Sequence, residues 1–520
     1  MSVAQRCVIP LLCGILVMGF LVRIYHVDTN PAGFFCDEAS IGYNTYTLLT
    51  TGRDEHGVQY PLFFQSFGDY RPPIPYYAAI PFVLIFGLHE FAVRVTTASV
   101  GTLSILIVYL FLKMLLSYTR VVQKLVSAGS LFGAFFLAIS PWHIHMSRFG
   151  SEYIYLPLFV LLAALVFLLS YQKPTYIPLA FFVSGLIGYT YLPGLIIGPI
   201  FTLLVSLSSF SHLKRNWKYT LIGVGIYCIV LIPTIQAVGN KTLLTRWNSV
   251  GLGKETSILG QIKTFSTQYI EHFSPVFLFT KGDIGYPGHF INRFSVKGVG
   301  QLYIVDGLFL CIGFIFLLIQ IKKKNISAMM PIVLLILYPI GSSVTTTDGG
   351  GPLAFRSVLG SIVFPVISAI GITVILNTIT LPHIRRLWIG LLSLIYIIFF
   401  LHYLYLYHTQ YPLYSQDFWG WQFGPRDIMQ TFLTNKGAYD EYLIIGEFNS
   451  PDIFIKFYDP TNQCGSRCRV AGISDINPQK RQLIALSPSA WQQASHLHLT
   501  IKKTIFYPNG QPAYYIVTTP

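Results

Sequence analysis

One stretch of the chain, Pro31–Tyr77, holds the residues with the clearest capacity for acid–base chemistry. The adjacent carboxylates Asp37 and Glu38 come soon after an apolar segment, Cys7–Ile24, that is suited to cross a membrane. Only 11% of the residues are charged, and ionisable groups beside a bilayer are costly, so such a cluster indicates function. A carboxylate such as Asp37 can act as general base toward a hydroxyl, which contributes roughly 10²–10⁴-fold to a rate.

The paired carboxylates also have less specific interpretations. Both would stabilise the N-terminus of a helix that begins near Ala39, since acidic side chains there contribute about 0.3–1 kcal/mol. Glu38 could instead orient Asp37 through a hydrogen bond, or the pair could bind a divalent metal ion. The residue pattern leaves these interpretations open and indicates no cofactor with certainty.

Other polar residues gather at the same ends of the predicted membrane spans as Asp37. The set comprises Asp37, Glu38, Asp69, Arg71, Arg94, His143, His145, Arg148, Glu152, His272, Asp283, His289, Asp348 and Arg356. Arginine side chains present forked donors that suit phosphate oxygens. A base and arginines on one membrane face predict a cavity in which a hydroxyl displaces a phosphate leaving group from a lipid-linked donor.

Several residues of this set have a simpler alternative role. His143 and His145 are two residues apart, which fits one helix face poorly, and no third metal ligand is near, so a cavity or acceptor-site role is preferred to metal binding. Arg148 also suits an interfacial anchor whose head reaches the lipid headgroups. His272 could line an acceptor entrance, although plain loop polarity is the simpler interpretation.

The elements that position these residues are predicted membrane spans. Of the 520 residues, 53% are hydrophobic and the mean hydropathy is +0.57, unlike an ordinary soluble domain. Apolar runs approach or exceed the roughly 18–20 residues that cross a bilayer. Eleven spans are predicted, at 7–25, 94–116, 126–141, 153–172, 175–191, 193–210, 219–238, 301–321, 327–344, 358–377 and 387–407.

Loop charge predicts the orientation of these spans. With the N-terminus inside, every short basic cluster lies on the cytoplasmic side, as the positive-inside rule requires. The clusters are Arg120 and Lys124, Lys173, Lys214 with Arg215 and Lys218, Lys322–Lys324, and Arg385 with Arg386. A twelfth span at Pro75–Leu88 would reverse the later clusters, so this segment is predicted to lie at the interface or to re-enter. The net charge of +14 therefore indicates topology rather than nucleic-acid binding.

Two domains are predicted. Residues 1–407 form a membrane domain, with a first outer loop at 26–93 and a large outer loop at 239–300, and 408–520 form a soluble extracytoplasmic α/β domain. The soluble part is predicted to hold a helix at 426–435, strands at Glu441–Gly446 and Gln482–Leu486, and a hairpin that turns at Pro508–Gly510. Outside the cell, Cys464 and Cys468 suit a small disulfide, with half of a zinc site as the weaker alternative.

The chain resembles the GT-C class of membrane glycosyltransferases, in the superfamily of protein O-mannosyltransferases and lipid A aminoarabinose transferases. The likeness spans the membrane portion and continues into the tail. It rests on GFFCDEASIGYNTYTLLTTGRDEHG (33–57), DYRPPIPYY (69–77), EFAVRVTTASVGTL (90–103), SPWHIHMSRFGSEYIYLP (140–157), GYTYLPG (188–194), HFSPVFLFTKGD (272–283), FRSVLGSIVF (355–364) and YPLYSQDFWGWQFG (411–424).

This resemblance implies an inverting transfer of a hexosyl or pentosyl group from a polyprenyl-phosphate donor to an acceptor hydroxyl outside the membrane. Asp37 corresponds to the family's base, with Glu38 beside it, and Glu152 to the acidic residue of the second outer loop, an Asp in the family. The resemblance implies donor-phosphate ligands at Arg71, where the aminoarabinose branch has Lys, and at Arg148 and Arg356. Cavity or acceptor contacts are assigned to His143, His145, Asp69, Tyr70 and His272.

The acceptor could be a glycan, a lipid or a protein hydroxyl. The chain lacks the large extra domain of eukaryotic protein O-mannosyltransferases, which weakens a protein acceptor. A transporter or flippase of lipid-linked sugars is the alternative function, but it would place acidic residues or broken helices at the membrane midplane, which the sequence lacks. A non-catalytic scaffold that binds a partner through 408–520 is a third class, disfavoured by the acids and arginines at the outer span ends.

Overall fold

The structure is a computed structural model that describes residues 7–119, 125–252, 257–286, 289–346, 351–446 and 448–520. Three residues of the sequence-based predictions, Arg120, Lys124 and Asp348, lie outside these ranges.

Most of the first 424 residues are helical, as their apolar runs predict. Each of the eleven segments predicted to span a membrane coincides with helical structure. The helices are α1 (Val8–Ile24), α2 (Cys36–Thr51), α3 (Ile74–Phe86), α4 (Glu90–Tyr118), α5 (Val126–Ile139), α6 (Pro141–Met146), α7 (Tyr155–Ser170), α8 (Ile177–Leu186), α9 (Gly194–Ser208), α10 (Phe210–Arg215), α11 (Trp217–Gly239), α12 (Leu244–Val250), α13 (Ile258–Glu271), α14 (Asp306–Lys322), α15 (Met329–Leu337), α16 (Ile340–Ser343), α17 (Gly360–Thr378), α18 (Pro382–Thr409) and α19 (Tyr411–Tyr414).

Length and composition make several of these helices suited to a bilayer. Within the described residues, five helical stretches are long and apolar enough to cross it, at Glu90–Tyr118, Trp217–Gly239, Ile326–Ser343, Gly360–Thr378 and Pro382–Tyr414. Shorter apolar helices include Val8–Ile24, Val126–Ile139, Tyr155–Ser170, Pro174–Tyr189 and Gly194–Ser208. The chain is a helical membrane protein.

The interior of the helical part is built around α4 and α17. Helix α4 packs against α1, α5 and α7, while α17 packs against α5 and α14. Glycines at the crossings let the backbones approach: a Cβ at Gly371 would lie 2.0 Å from the carbonyl oxygen of Phe309. This packed interior supports the loops at one end of the bundle, where the candidate site lies.

A small hairpin lies between α2 and α3. Strands β1 (Phe64–Ser66) and β2 (Asp69–Arg71) pair antiparallel, with Phe64 opposite Arg71. The connecting residues Phe67 and Gly68 both have positive φ, of 54° and 80°, the backbone conformation of a type I′ turn. The hairpin was not predicted from the sequence, because Phe-Gly is not one of the pairs that mark such turns.

The C-terminal residues fold around a mixed sheet. It has five strands in the order β4-β3-β5-β7-β6, and β3 pairs parallel with β4 and β5. The elements are α20 (Pro425–Thr434), β3 (Glu441–Ile445), α21 (Asp452–Tyr458), β4 (Cys468–Val470), β5 (Gln482–Leu486), α22 (Pro488–Gln493), β6 (Thr500–Phe506) and β7 (Pro512–Thr518). The strands, hairpin and helix predicted for this region are confirmed to within a few residues. Helix α21 packs on α2, and this contact ties the sheet to the segment that carries Asp37.

Candidate functional site

A cavity of about 670 Å³ lies where the loops of the helical part meet the C-terminal residues. Among the described residues, the charged ones in its lining are Asp37, Asp69, Arg71, Arg293 and Arg356. Much of the rest of its lining is apolar, contributed by Leu192, Ile196, Val238, Leu244, Trp247 and Val344 among others. The cavity therefore suits a ligand with a charged head and an apolar chain.

Asp37 reaches the cavity because helix α2 begins one residue before it, at Cys36. Its Oδ1 lies 3.4 Å from Nη2 of Arg71, and Nη1 of Arg71 donates to Oε1 of Glu152 at 2.9 Å. The Asp37 and Arg71 side chains keep 17% and 14% of their surface exposed, whereas Glu152 keeps 5%. We call Asp37, Arg71 and Glu152 the cavity triad: one guanidinium joins a carboxylate that lines the cavity to one buried behind it.

The hairpin decides which of its residues face the cavity. Successive side chains of a strand point to opposite faces, so Asp69 and Arg71 share one face of β2 and Tyr70 lies on the other. Asp69 and Arg71 line the cavity accordingly, and Tyr70 does not. The expectation that Tyr70 lines the cavity was therefore wrong, because strand alternation turns its ring away.

Glu38 was expected beside Asp37 in a catalytic pair. It lies instead in the interior and does not line the cavity. It is 1% exposed and accepts hydrogen bonds from Nε and Nη2 of Arg94 at 2.8 and 2.9 Å. It also accepts the backbone N–H groups of Gly150 at 2.7 Å and Phe35 at 3.0 Å. We call Glu38 and Arg94 the interior pair. Glu38 caps the start of α2, so the helix-capping interpretation holds for it.

Glu152 supports the cavity from behind rather than lining it. Burial raises the pKa of its carboxyl group above the usual value of 4.5, the nearby Arg71 guanidinium opposes that shift, and Asp37 adds to it. Arg71 is therefore held between two carboxylates that compete for one positive charge. In this geometry Glu152 contacts Arg71 and is not placed to contact a substrate directly.

Arg148 and His143 are also away from the cavity, contrary to their expected roles in donor and acceptor binding. Arg148 is 1% exposed and donates to the backbone carbonyls of Val22, Tyr25 and Asn30. His143 is fully buried, and its Nδ1 accepts a hydrogen bond from Nη2 of Arg23 at 2.8 Å. Both side chains join helices and loops to one another, because buried polar groups must find partners inside the protein.

His145 and His272 are buried as well. Burial lowers the pKa of each to about 4, so both are neutral near pH 7. Nδ1–H of His272 donates to the carbonyl of Gln268, and the residue does not line the cavity. Nε2–H of His145 donates to the carbonyl of Arg293 at 2.7 Å, so His145 lies one step behind the cavity wall.

Arg293 is the charged cavity residue that the sequence interpretation missed. Its guanidinium stacks on the rings of Phe35, 3.9 Å from the centroid, and Phe294, and donates to the carbonyl of Trp419 at 2.8 Å. Among the described residues its guanidinium meets rings and backbone carbonyls, so its charge is available to an anion. The signal that singled out Arg356, an arginine in a loop beside a span, applied equally to Arg293.

Arg356 lies where it was expected, in the wall of the cavity near the start of α17. Its Nη1 donates to Oγ1 of Thr345 at 2.7 Å. With Arg71 and Arg293 it places three guanidinium groups around one cavity, against the carboxylates of Asp37 and Asp69. Guanidinium groups suit the oxygens of an anionic ligand such as a phosphate.

Two further sequence-based predictions concern metal and disulfide chemistry. In the described part of the chain, no group of three or more His, Cys, Asp or Glu side chains is arranged to hold a metal ion. Cys464 and Cys468 are joined as a disulfide that closes the turn before β4. Neither cysteine lines the cavity.

No protein-family model and no curated protein matches the sequence. Solved structures do match. ArnT from Cupriavidus metallidurans in the apo state aligns with a TM-score of 0.55 and 12% identity, over 100% of this chain and 99% of that one. The same enzyme bound to undecaprenyl phosphate gives 0.56 and 12%, over 99% and 98%. The Archaeoglobus fulgidus oligosaccharyltransferase gives 0.54 and 14%, over 89% of this chain and 64% of that one.

The chain has a GT-C fold. Both neighbours are GT-C glycosyltransferases, and the alignment with ArnT, the lipid A aminoarabinose transferase, extends over the full length. The resemblance seen in the sequence motifs is thereby confirmed at the level of the fold. At 12–14% identity this likeness concerns the fold and carries no residue roles.

Proposed function

We propose that the protein is an inverting glycosyltransferase that moves a sugar from a polyprenyl-phosphate donor to an acceptor hydroxyl. The single observation that carries this proposal is the cavity, where a carboxylate and three guanidinium groups share one space with an apolar wall. A lipid-linked sugar phosphate needs both parts: cations for its phosphate and apolar surface for its chain. The undecaprenyl phosphate in the ArnT neighbour supports this choice of donor.

The reaction assigns a separate task to each charged group. The acceptor oxygen attacks the anomeric carbon while Asp37 takes the hydroxyl proton as general base. The bond between the anomeric carbon and the phosphate oxygen breaks, and polyprenyl phosphate leaves with the electron pair. Arg71, Arg293 and Arg356 offer the donors that stabilise the growing negative charge on the phosphate.

The remaining acids act as positioning residues. Glu152 holds Arg71 from behind, and Glu38 fixes the start of α2 so that Asp37 projects into the cavity. We also propose eleven membrane spans with the N-terminus inside, domains at 1–407 and 408–520, and a cavity that opens on the extracytoplasmic side. Loop charge supports this orientation through the positive-inside rule.

The test uses purified full-length protein in proteoliposomes with a panel of radiolabelled polyprenyl-phosphate sugars. Release of polyprenyl phosphate is followed with a mixture of saccharide and Ser/Thr peptide acceptors, and movement of labelled donor across the bilayer is followed in parallel. We expect release that the Asp37→Asn variant loses. Movement of intact donor without release would overturn the transferase proposal in favour of a transporter.

A further inference from the structure

Part of the cavity lining is not explained by donor binding. Three aromatic side chains, Phe67, Phe418 and Trp419, line the cavity together with the polar side chains of Asp69 and Asn449. Trp419 keeps 46% of its surface exposed and Phe67 keeps 38%. We call Phe67, Phe418 and Trp419 the aromatic rim. Exposed rings beside a carboxylate and an amide form a surface that is apolar and hydrogen-bonding at once.

Phe67 is held in an unusual conformation to present its ring. It occupies the first central position of the hairpin turn with a φ of 54°, where a bulky side chain is strained. The residue that follows is Gly68, and Asn-Gly is the favoured pair for a turn of this kind. Asn at this position would strain the turn less than Phe does. The strained backbone thus keeps an aromatic ring at the cavity where the turn alone would favour Asn.

Trp419 is held by Arg293, one of the arginines proposed to bind the donor phosphate. Its carbonyl accepts a hydrogen bond from Nη1 of Arg293 at 2.8 Å, and its ring meets that of Phe290 edge-on, with centroids 4.6 Å apart. Arg293 thus holds the backbone of Trp419 and Phe290 contacts its indole, yet the residue keeps 46% of its surface exposed. Arg293 joins it directly to the group proposed to receive the donor phosphate.

This combination of groups matches the surface of a sugar ring. A pyranose has an apolar C–H face, which packs on an aromatic ring, and hydroxyls around its edge, which bind carboxylates and amides. A side-chain hydroxyl on a peptide offers no such face. An extended peptide would instead be recognised through backbone hydrogen bonds along a strand edge.

We propose that the acceptor is a saccharide, whose ring stacks on the aromatic rim while Asp69 and Asn449 bind its hydroxyls. This inference rests on the proposed glycosyl transfer and names the acceptor class for that same site. The acceptor's free hydroxyl loses its proton to Asp37, its oxygen bonds to the anomeric carbon of the donor sugar, and polyprenyl phosphate departs. A glycosidic bond between two sugars is the product.

The first experiment compares acceptors at a fixed, active donor. Purified protein receives either a panel of oligosaccharides and methyl glycosides or a panel of Ser/Thr peptides, and polyprenyl phosphate release and labelled product are measured. Transfer to a saccharide supports the proposal. Release with peptides alone would overturn the saccharide acceptor and leave the transferase intact, whereas no Asp37-dependent release with any donor would count against the transferase itself.

The second experiment asks whether the rim binds the acceptor. Trp419→Ala should raise the acceptor KM roughly 10-fold or more, because the loss of one aromatic stacking contact weakens binding by about that factor. The change in kcat should be smaller, and the donor KM should be unchanged. The matched control is Trp388→Ala. Trp388 is 45% exposed on α18 and is absent from the cavity lining, so its replacement should leave both KM values unchanged.

The third variant separates binding from folding. Phe67→Asn places a favoured residue in the hairpin turn, so thermal stability should be equal to or higher than that of the wild type. The same change removes a ring from the rim, so the acceptor KM should rise several-fold. An unchanged acceptor KM in both Phe67→Asn and Trp419→Ala would overturn the proposal.

Discussion

The wall of the cavity and the interior behind it use the same residue types in opposite ways. In the cavity triad, Arg71 is shared between Asp37 and Glu152, and Asp37 stays partly exposed with one contact at 3.4 Å. In the interior pair, Glu38 is fully buried and accepts four hydrogen bonds, two of them from Arg94. Asp37 and Glu38 are neighbours in the chain, yet only Asp37 has capacity left for a substrate.

This difference shows how burial separates a carboxylate that lines the cavity from one that supports the fold. A carboxylate whose lone pairs are all occupied by internal donors has none left to accept a substrate hydroxyl. A carboxylate with a single long contact to an arginine can exchange that contact for a substrate hydroxyl. Substitution of Asp37 should therefore act mainly on turnover, and substitution of Glu38 mainly on stability.

Asp37→Asn should lower turnover by roughly 10²–10⁴-fold, because it removes the general base and keeps the side-chain shape. The thermal unfolding midpoint should stay close to that of the wild type, since the ion pair between Asp37 and Arg71 is long and partly solvated. Release of polyprenyl phosphate and a thermal melt on the same preparation measure both quantities. Near-normal turnover would remove Asp37 from the mechanism.

Glu38→Gln should show the opposite pattern. Breaking one side of a buried, hydrogen-bonded ion pair costs about 3–5 kcal/mol, because Arg94 is left with an uncompensated charge. We expect a large loss of thermal stability and a poor yield of folded protein. Replacing both members, as Glu38→Gln with Arg94→Met, should recover part of that stability. A single variant as stable as the wild type would contradict the structural role.

Arg293→Gln should weaken binding of polyprenyl phosphate by roughly 10- to 100-fold, since a hydrogen bond to a charged group contributes about 1.5–3 kcal/mol. Binding is measured by titration of the lipid phosphate into detergent-solubilised protein. Arg481→Gln is the matched control, because this arginine is exposed on the C-terminal fold and pairs with Asp440. Equal affinities in the two variants would exclude Arg293 from the phosphate site.

The pH profile tests the rear of the cavity triad. Burial raises the pKa of Glu152, so its carboxyl takes up a proton at a higher pH than an ordinary glutamic acid, above 4.5. As the pH falls through that pKa, Arg71 loses one of its two partners, and activity should fall modestly. The Glu152→Gln variant should have lower activity at neutral pH and lack this part of the acid limb. Superimposable profiles would show that Glu152 does not act on Arg71.

A helical membrane fold could be predicted from the sequence because membrane spans are long and almost entirely apolar. Every segment predicted to span the membrane coincides with helical structure, and the motifs from 33 to 364 indicated a GT-C protein. Asp37, Asp69, Arg71 and Arg356 were also predicted to share a common site, and all four line the cavity. A charged residue at the end of an apolar span is easy to recognise in a sequence, because charged residues are rare within the span itself.

The sequence could not sort the remaining candidates. His143, Arg148 and His272 carried the same signal as Arg356. Each of them is buried and hydrogen-bonded inside the protein, as His143 is to Arg23. Arg293 was missed among the polar residues of a long loop, although it stacks on Phe35 beside Asp37. Contacts between residues more than a hundred positions apart leave no mark on local composition.

Sequence patterns alone predict the kind of protein: a helical membrane chain whose ionisable residues collect at one set of predicted span ends. Hydropathy and charge decide this because the cost of burying charge in lipid acts on every segment separately. Tertiary contacts determine which carboxylate lines the cavity, which arginines surround it and which rings border it. Those outcomes depend on long-range packing, because a step of one residue along helix α2 places Asp37 in the cavity and Glu38 in the interior.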